Sequence, residues 1–519
     1  MRIIEINQNK QGGVFQQIIV GGFDLTQFVL GGTVRRSIGN PAGEFELKLR
    51  PLVDKNGAIL DIPILPNDYC EIRVDRQYIS NGPRAGIKLL MRGLVDSVKL
   101  TEAADQGPQG VVSRAVSIGG SDLGKIFQRK QIQLPPDGIT DEFNNSFLQY
   151  VTTFLGQDAG GFEFDMPMEV WIDFFLTKVY SDDKIALGSK RLNDNALWIK
   201  SEFNLPQTPQ GKTRLRVMKA PILNNFQGSL WDFITFYCSK PFLEIFLNDE
   251  EDYTVLTCRW VPWLNALDQV PLQHSFTEKG SFPWFDESKV DMLYLKNYDI
   301  VTEKQLTRND FDRYTYFLTK PYQSWFSQGS GGLTEGALFA DTQPTLDPDG
   351  KISTWRNPYY DMAGQDQFGY KPMVVKMPFY GQVGEGVNEV SFELQFIAKD
   401  CNKWLVDIFT FTDLLYTGSI TIIGTPDVKL GQWIKIGDDN DPRQLTGYVQ
   451  SIEHSWVVSP APQFLTRLGL TRISNVDGQL NRDRLKGEYM QHVDGVNRPQ
   501  SISGYALAGL QSRPDPNTL

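Results

Sequence analysis

The 519-residue chain is longer than a single hydrophobic core supports, and its 41% hydrophobic, 12% aromatic and 22% charged residues exclude wholesale disorder. A net charge of −11 excludes duplex binding by phosphate neutralisation as the main task, because that task needs clustered Lys and Arg. The opening MRIIEINQNKQGG lacks a charged n-region followed by an apolar run, and no stretch approaches roughly 18 apolar residues, so a soluble, unexported chain is expected.

The first 120 residues carry the period of half-buried strands. Phe45, Leu47 and Leu49 alternate with Glu46 and Lys48, and Ile72 and Val74 alternate with Glu71, Arg73 and Asp75. Gly21-Gly22, Gly31-Gly32 and Gly119-Gly120 read as turns between antiparallel strands. Beyond Gly120 the spacing of Phe143, Phe147, Val151 and Phe154 is that of an amphipathic helix. Ser229 and Asp232 have capping-box spacing ahead of Leu230, Phe233, Ile234 and Tyr237, and PFLEIFLNDEEDYTVLTCRW then reads as a hairpin with an acidic turn.

Residues 320–372 are rich in Gly, Ser, Pro and Asp, with SQGSGG and LDPDG, and read as a long surface insertion without regular structure. From Val390, Leu394, Ile397, Cys401, Trp404, Ile408, Phe411 and Leu415 alternate spacings of four and three, which predicts a helix ending on Gly418 as its C-cap glycine. Packing on a sheet of the same chain is favoured for this helix over a coiled-coil seam between subunits. The stretch from about Gly487 is polar and rich in breakers, an arm that cannot bury a core of its own.

Self-similarity is the most informative feature. MRGLVDSVKL at 91–100 matches LTGYVQSIEH at 445–454, aligning Gly93 with Gly447, Val95 with Val449 and Ser97 with Ser451. Each copy follows an alternating strand, CEIRVD or QWIKIG, and precedes another, SRAVSI or LTRLGL. Strand alternation places Val95 and Ser97 on one face, with Asp96 and Val98 on the other. Two similar barrels are expected, and these six residues are the interface candidates on the repeated strand.

The combination resembles the baseplate hub of contractile-tailed phages and its relatives in noncontractile tails and type VI secretion spikes. The residues that carry the resemblance are GGTVRRSIGNPAGEFELKLR, GLVDSVKL and RAVSIGGSDLGKIF in the first half, and GSITIIGTPDVKLGQWIKI, TGYVQSIEHSWVV and FLTRLGLTR in the second. It covers roughly the first 130 residues and 385–475. The resemblance implies a mainly β fold with α+β insertions: two tube-like β-barrels, a mixed α/β domain and a C-terminal arm. The expected boundaries are 1–120 for the first barrel, 121–240 for the mixed domain and 241–320 for strands of the mixed domain or the second barrel. An irregular insertion at 321–385, a helix with the second barrel at 386–475 and an arm at 476–519 complete the chain. The resemblance further implies a homotrimer that presents six barrels to a hexameric tail tube and holds the trimeric central spike below. Its implied partners are the tail tube or distal tube-ring protein, the spike, baseplate wedge proteins and the tape-measure protein. DNA passes only in transit, through a channel expected to be net negative, and no membrane is engaged. The implied location is the tail baseplate of the virion.

Nothing in the sequence nominates chemistry. His274, His454 and His492 lie outside any HExxH or Cys/His metal spacing, and His454 beside Trp456 reads as a packed or surface residue. Cys70, Cys238, Cys258 and Cys401 have no CxxC spacing and read as buried thiols. GQVGEG at 381–386 lacks the order of a phosphate loop. The acidic runs Asp249–Asp252 and Asp438, Asp439, Asp441 read as solvated turns rather than calcium sites. No catalytic, metal or cofactor residue is therefore expected. Two other functions remain open on sequence: a tail-associated cell-wall hydrolase, for which no motif selects a carboxylate pair, and a β-rich receptor- or carbohydrate-binding tail protein using the aromatic insertion.

Overall fold

A computed structural model describes residues 2–4, 13–50, 63–76, 87–104, 112–129, 131–133, 199–204, 227–237, 240–263, 292–320, 359–376, 402, 404–406, 408–410, 412–438, 441, 443–459 and 461–475. The chain opens with β1 (Arg2–Ile4), β2 (Phe15–Val20), β3 (Phe23–Asp24), β4 (Val29–Ser37), β5 (Glu44–Leu49), β6 (Tyr69–Asp75), β7 (Leu89–Ala104) and β8 (Val112–Asp122). Helix α1 (Gly124–Arg129), β9 (Gln131–Gln133), β10 (Ile199–Asn204), β11 (Gln227–Ser229), helix α2 (Leu230–Tyr237), β12 (Leu243–Asp249) and β13 (Thr254–Trp260) form the middle. Then come β14 (Met292–Leu295), β15 (Val301–Arg308), β16 (Tyr316–Lys320), β17 (Tyr359–Tyr360), helix α3 (Met362–Phe368) and β18 (Pro372–Lys376). Strands β19 (Tyr416–Ile423), β20 (Trp433–Ile436), β21 (Leu445–Val457) and β22 (Gln463–Asn475) close the described chain.

The fold is mainly β and is dominated by one 14-stranded sheet. Its first half is ordered β4-β5-β8-β7-β6-β2 and its second β15-β19-β22-β21-β20-β14. Numbering each set by chain order gives the same permutation twice. One difference separates them: β2 runs antiparallel to β6, whereas β14 runs parallel to β20. Of the strands in 241–320, β14 and β15 join the second unit of the large sheet, β12 and β13 form a separate three-stranded sheet with β10, and β16 joins another with β17 and β18.

The second unit therefore takes in β14 and β15, well before residue 386. The region 309–415 is inserted between β15 and β19, two strands that pair directly from Val301↔Ile422 to Arg308↔Tyr416. In the first unit the corresponding connection, from β4 to β5, runs only from Ile38 to Gly43. Surface hairpin loops accept long insertions at little thermodynamic cost, so pairing survives a separation in sequence that hides it.

The reading of 321–385 as irregular needs correction over 359–376, the described part of it. β17, α3 and β18 lie within it, with β18 parallel to β16 from Tyr316↔Pro372 to Lys320↔Lys376. The Asp361 side chain caps α3 by accepting from the Gly364 amide at 2.9 Å, and it is ion-paired to buried Arg313. Elements this short span too few periods to show in a composition-based reading. Gly418 is likewise no helix cap. It lies in β19 at a register break, where an added Cβ would stand 2.1 Å from the Gln305 carbonyl oxygen. Of the helix expected from Val390, residues 402, 404–406, 408 and 409 are helical, and Trp404, Leu405, Val406 and Ile408 are buried. Thr410 lies in a turn and Thr412–Leu414 in a 3-10 helix, whereas the part before 402, the helix expected at 143–154 and the arm from 476 lie outside the described residues.

Two local predictions take a concrete form. Ser229 and Asp232 make a reciprocal capping pair at the start of α2, with the Asp232 amide donating to the Ser229 hydroxyl at 3.1 Å and the Ser229 amide to the Asp232 carboxylate at 2.9 Å. Gly21 and Gly22, at φ 57° and 82°, form the turn from β2 to β3. Gly31-Gly32 and Gly119-Gly120, by contrast, lie inside β4 and β8. Their missing side chains serve contact rather than turning: a Cβ on Gly31 would sit 2.3 Å from the Trp456 carbonyl oxygen, and one on Gly120 at 2.3 Å from the Phe45 ring. No helix among the described residues is long and apolar enough to cross a membrane.

Each unit has its own core. The first gathers Ile18, Phe45, Leu47, Ile72, Met91, Val95 and Ile118, but also Trp456 and Phe464 from the far end of the β21–β22 hairpin. The second gathers Leu293, Ile420, Ile434, Val449 and Leu468. Trp456 is 2% exposed, and its indole nitrogen donates to the Gln16 side-chain oxygen at 2.9 Å. Trp456→Ala should therefore destabilise the protein by about 3–5 kcal/mol, the range for deleting a large buried aromatic. Urea unfolding of the two proteins measures this, and a loss below about 1 kcal/mol would show that the hairpin end is not part of the first core.

Candidate functional site: the repeated strands and their seam

The six repeat residues occupy matching places in β7 and β21. Gly93 pairs with Cys70 on β6, and Gly447 with Ile434 on β20. Ser97 pairs with Gly119, and Ser451 with Gly469. Both ladders break register at the same step, between Val95 and Ser97 and between Val449 and Ser451. The break revises the expected alternation. Along β21 Leu445, Gly447 and Val449 are buried before it, and Ile452, His454 and Trp456 after it, so Val449 and Ser451 do not share the buried face. A β-bulge shifts the side-chain phase by one residue, which simple alternation does not anticipate.

The repetition extends beyond what the sequence displays. Register also breaks at Val29/Gly31 in the β4–β5 ladder and at Val301/Glu303 in the β15–β19 ladder, which makes β15 the counterpart of β4. Ahead of β6, Asn67 has φ 72°, its amide donates to the Val95 oxygen, and the Asp68 carboxylate accepts from the Leu65 amide at 2.8 Å. Ahead of β20, Gly431 has φ 76°, its amide donates to the Val449 oxygen, and the Gln432 side-chain oxygen accepts from the Lys429 amide at 2.9 Å. Asn and Gly are the residues that tolerate this left-handed geometry, and Asp and Gln supply the same acceptor. No residue identity is shared across these four turn positions, so a letter-by-letter comparison passes over them.

The two units meet where β4 of the first adds to the second half of β21, antiparallel from Ser451↔Ser37 to Val457↔Gly31. Arg35 and Glu453 pair across this seam at 3.0 Å on its exposed side. On its inner side Arg36 lies 3.4 Å from Asp122 and is ion-paired to Asp249. Burial disfavours the Arg36 charge, but Asp249 and Asp122 more than offset it and raise its pKa. Asp122 is itself pushed up to about 6, chiefly by burial, with Arg36 acting against the rise.

Asp249 begins the acidic turn of the β12–β13 hairpin; its carboxylate is buried rather than solvated, whereas Glu251 and Asp252 are exposed. The Arg92 amide donates to the Asp249 carboxylate at 2.9 Å, and the buried Arg92 guanidinium donates to the Glu250 carbonyl at 2.6 Å and to the Glu251 carbonyl. Glu251 also meets Arg73 at 2.8 Å, and Glu250 is paired with Lys429. The hairpin thus ties both units together, with a deeper contact at its base. There the Arg259 guanidinium donates to Glu244 at 2.8 Å and to the Tyr448 hydroxyl at 2.9 Å, beside Trp433, whose indole donates to the Pro262 oxygen at 2.7 Å.

His454, on β21, is 5% exposed, with Nδ1 3.0 Å from the Thr466 hydroxyl and its ring against Phe464. Burial first, and then the Arg36 charge, push its pKa down to about 3, so it packs as neutral imidazole. Cys70 and Cys258 are buried; Cys238 and Cys401 lie outside the described residues, as do His274, His492, Asp439 and the segment 381–386. Among the described residues no group of three His, Cys, Asp or Glu is placed to hold a metal ion. A cleft of about 790 Å³ opens between the second unit and the inserted region, lined by Ile38, Glu244, Trp263, Tyr314, Phe409 and Arg472 among others. Its described carboxylates are Glu244 and Asp312, and Glu244 is held by Arg259 and Tyr448.

The fold and seam define a mainly β protein, internally duplicated, whose most elaborated polar contacts join its two halves. No model of a known protein family matches the chain, and no curated protein matches it. Solved structures similar to it include a tail protein from Neisseria meningitidis, 14% identical over 88% of this chain and 96% of that one, with a TM-score of 0.44. A 43 kDa tail protein of a prophage from Shewanella oneidensis is 12% identical over 90% of this chain and 99% of that one, with a TM-score of 0.42. An Escherichia coli component of the type VI secretion system, described as structurally similar to bacteriophage T4 tail proteins, is 7% identical over 88% and 76%, with a TM-score of 0.34.

Two outcomes follow from the seam. Asp249→Ala leaves Arg36 buried with Asp122 alone and should cost roughly 3 kcal/mol, the low end for breaking a buried ion pair. A denaturant midpoint equal to that of the wild type would show that the acidic turn is only loosely attached. For His454 the unfolded chain takes a proton near pH 6.5 that the folded chain refuses down to about 3, so its contribution to stability falls as pH drops through that window, by about 1.4 kcal/mol per pH unit. Asp122 opposes this, since its raised pKa makes stability fall as pH rises from 3.8 to about 6. The difference between wild type and His454→Gln isolates the histidine: it should shift in favour of the variant as pH falls from 6.5, and a difference independent of pH would contradict a buried neutral imidazole.

Proposed function

We propose that this chain is a non-enzymatic structural subunit of a phage tail tip, a baseplate hub. The carrying observation is the doubled six-strand unit, with strand order, register breaks and turn geometry repeated within one polypeptide. Closed rings need matching surfaces on successive members, and a chain that carries two equivalent units doubles the number of positions that its own assembly offers. Three copies with two units each present six tube-like positions to a hexameric tail tube, while the assembly remains threefold towards a trimeric spike. The seam between β4 and β21 is, in this reading, one of the six contacts of the ring, made inside the chain.

The resemblance of the sequence and the tail and spike proteins among its structural neighbours favour the same reading. Tail tube, spike, wedge and tape-measure proteins are the partners that such a hub meets, and DNA crosses its channel without a base-reading contact. The acidic residues at the seam, Asp122, Asp249 and Glu244, are engaged by Arg36, Arg92 and Arg259, a structural use of charge rather than a paired acid and base.

Native mass measurement and electron-microscopy class averages of the purified full chain test the proposal. Particles of three chains with a central opening are expected. A chain that stays monomeric at high concentration, and in the presence of its tail-tube partner, overturns it.

A further inference from the structure

The internal seam specifies, by repetition, an external one. β4 covers the second half of β21, and under that cover the burial of β21 alternates, with Ile452, His454 and Trp456 buried. The counterpart of that half-strand is the stretch of β7 from Ser97 onwards. Among the described residues it pairs with β8 alone, because β6 reaches only as far as Leu94. Every residue from Asp96 to Thr101 is exposed, including Val98 at 38% and Leu100 at 51%. The counterpart of β4 is β15, which pairs with β19 alone among the described residues and is exposed at Thr302, Glu303, Lys304, Gln305, Thr307 and Arg308. Among the described residues one chain therefore carries one occupied seam and the two unoccupied halves of a second.

We propose that β15 of one copy adds antiparallel to the Ser97–Ala104 half of β7 in a second copy, in the register that β4 and β21 use within the chain. The matched register breaks fix that register. Gly119 corresponds to Gly469, so Ser97 corresponds to Ser451, and Val29/Gly31 corresponds to Val301/Glu303. The internal pairs Val34↔His454, Arg36↔Ile452 and Thr33↔Ser455 then become Leu306↔Leu100, Arg308↔Val98 and Gln305↔Thr101. Leu306 already packs partly on the second core, and in this register it would cover Leu100 as Val34 covers His454. A long, open and partly apolar strand edge is the surface on which another strand adds, and head-to-tail contacts between different surfaces generate rings when they close.

The second seam is built to be weaker than the first. Where Trp456 and Phe464 reach from the β21–β22 hairpin into the core of the first unit, the equivalent paired positions of the β7–β8 hairpin are Glu102 and Arg114. The Arg35–Glu453 pair has no counterpart either, since its equivalents are Thr307 and Lys99. An interface between copies has to form from separately folded chains, which leaves little room for a buried tryptophan exposed beforehand.

The inference rests on the trimeric hub reading and can fail separately from it. The test is mild oxidation of the full-length chain carrying Leu306→Cys and Leu100→Cys, with Leu306→Cys and Thr101→Cys as a control one residue out of register. Directly opposed Cβ atoms lie about 4.5–5.5 Å apart, whereas a shift of one residue sends the side chains to opposite faces. Expected is a disulfide-linked trimer for the first pair and little linkage for the control. Trimers that link only through the control, or through neither pair, overturn the inference and leave the hub reading in place. Linked species of a size other than three support the inference and overturn the trimer, and a persistent monomer without linkage overturns both. As a second variant, Leu100→Asp at its exposed position should leave the melting of the isolated chain unchanged and weaken assembly at least tenfold. Unchanged assembly contradicts the proposed register.

Discussion

Everything else in the molecule is arranged around the addition of β4 to β21. It is the contact that converts two six-stranded units into one continuous sheet, and it satisfies the backbone groups that an edge strand would otherwise leave open. Because the hydrogen-bonding period is two, the contact also sets which side chains are sealed. Trp456 enters the core of the first unit, Arg36 turns towards Asp122 and Asp249, and Arg35 remains outside with Glu453. Gly31 and Gly32 are required on β4 because the backbone and ring of Trp456 occupy the space of their side chains. A one-residue slip would bury Arg35 without its acid and leave Trp456 without its place.

The β12–β13 hairpin reinforces that register from a third side. Its acidic turn would repel itself in water, but here it meets Arg36, Arg73, Arg92 and Lys429, drawn from both units. Buried ion pairs contribute less to net stability than their number suggests, because desolvation offsets much of the attraction, and they penalise wrong arrangements more than they reward the right one. That is the property needed where two similar units could otherwise dock in a shifted register.

How much of this the sequence revealed depended on the kind of signal. The alternation in EFELKL and CEIRVD, the capping pair Ser229/Asp232 and the Gly-x-Val-x-Ser repeat were all legible, because a strand period, a cap and a repeated motif are local. The equivalence of β4 with β15 was not. Apart from Val29 and Val301, and Arg36 and Arg308, the two strands differ throughout, and the long insertion separates β15 from the strand it pairs with. Gly31-Gly32 and Gly418 were misread as punctuation for a related reason: glycine marks either a turn or a close approach, and only the contact with Trp456 or Gln305 decides between them. The burial of Asp249 was not legible because the arginines that meet the turn come from residues 36, 73 and 92, remote in the chain. Positions with matching geometry and different letters, such as Asn67 and Gly431, are invisible without coordinates.

The inserted region from residue 309 to 415 interrupts the β15–β19 connection and has no counterpart at Ile38–Gly43. Within the proposed ring it would decorate every second unit, leaving bare and loaded positions in alternation. A sixfold partner reads the strands common to all six units, and a threefold partner reads the three loaded sites. A single break in the likeness of the two halves is enough to let one surface present both symmetries at once.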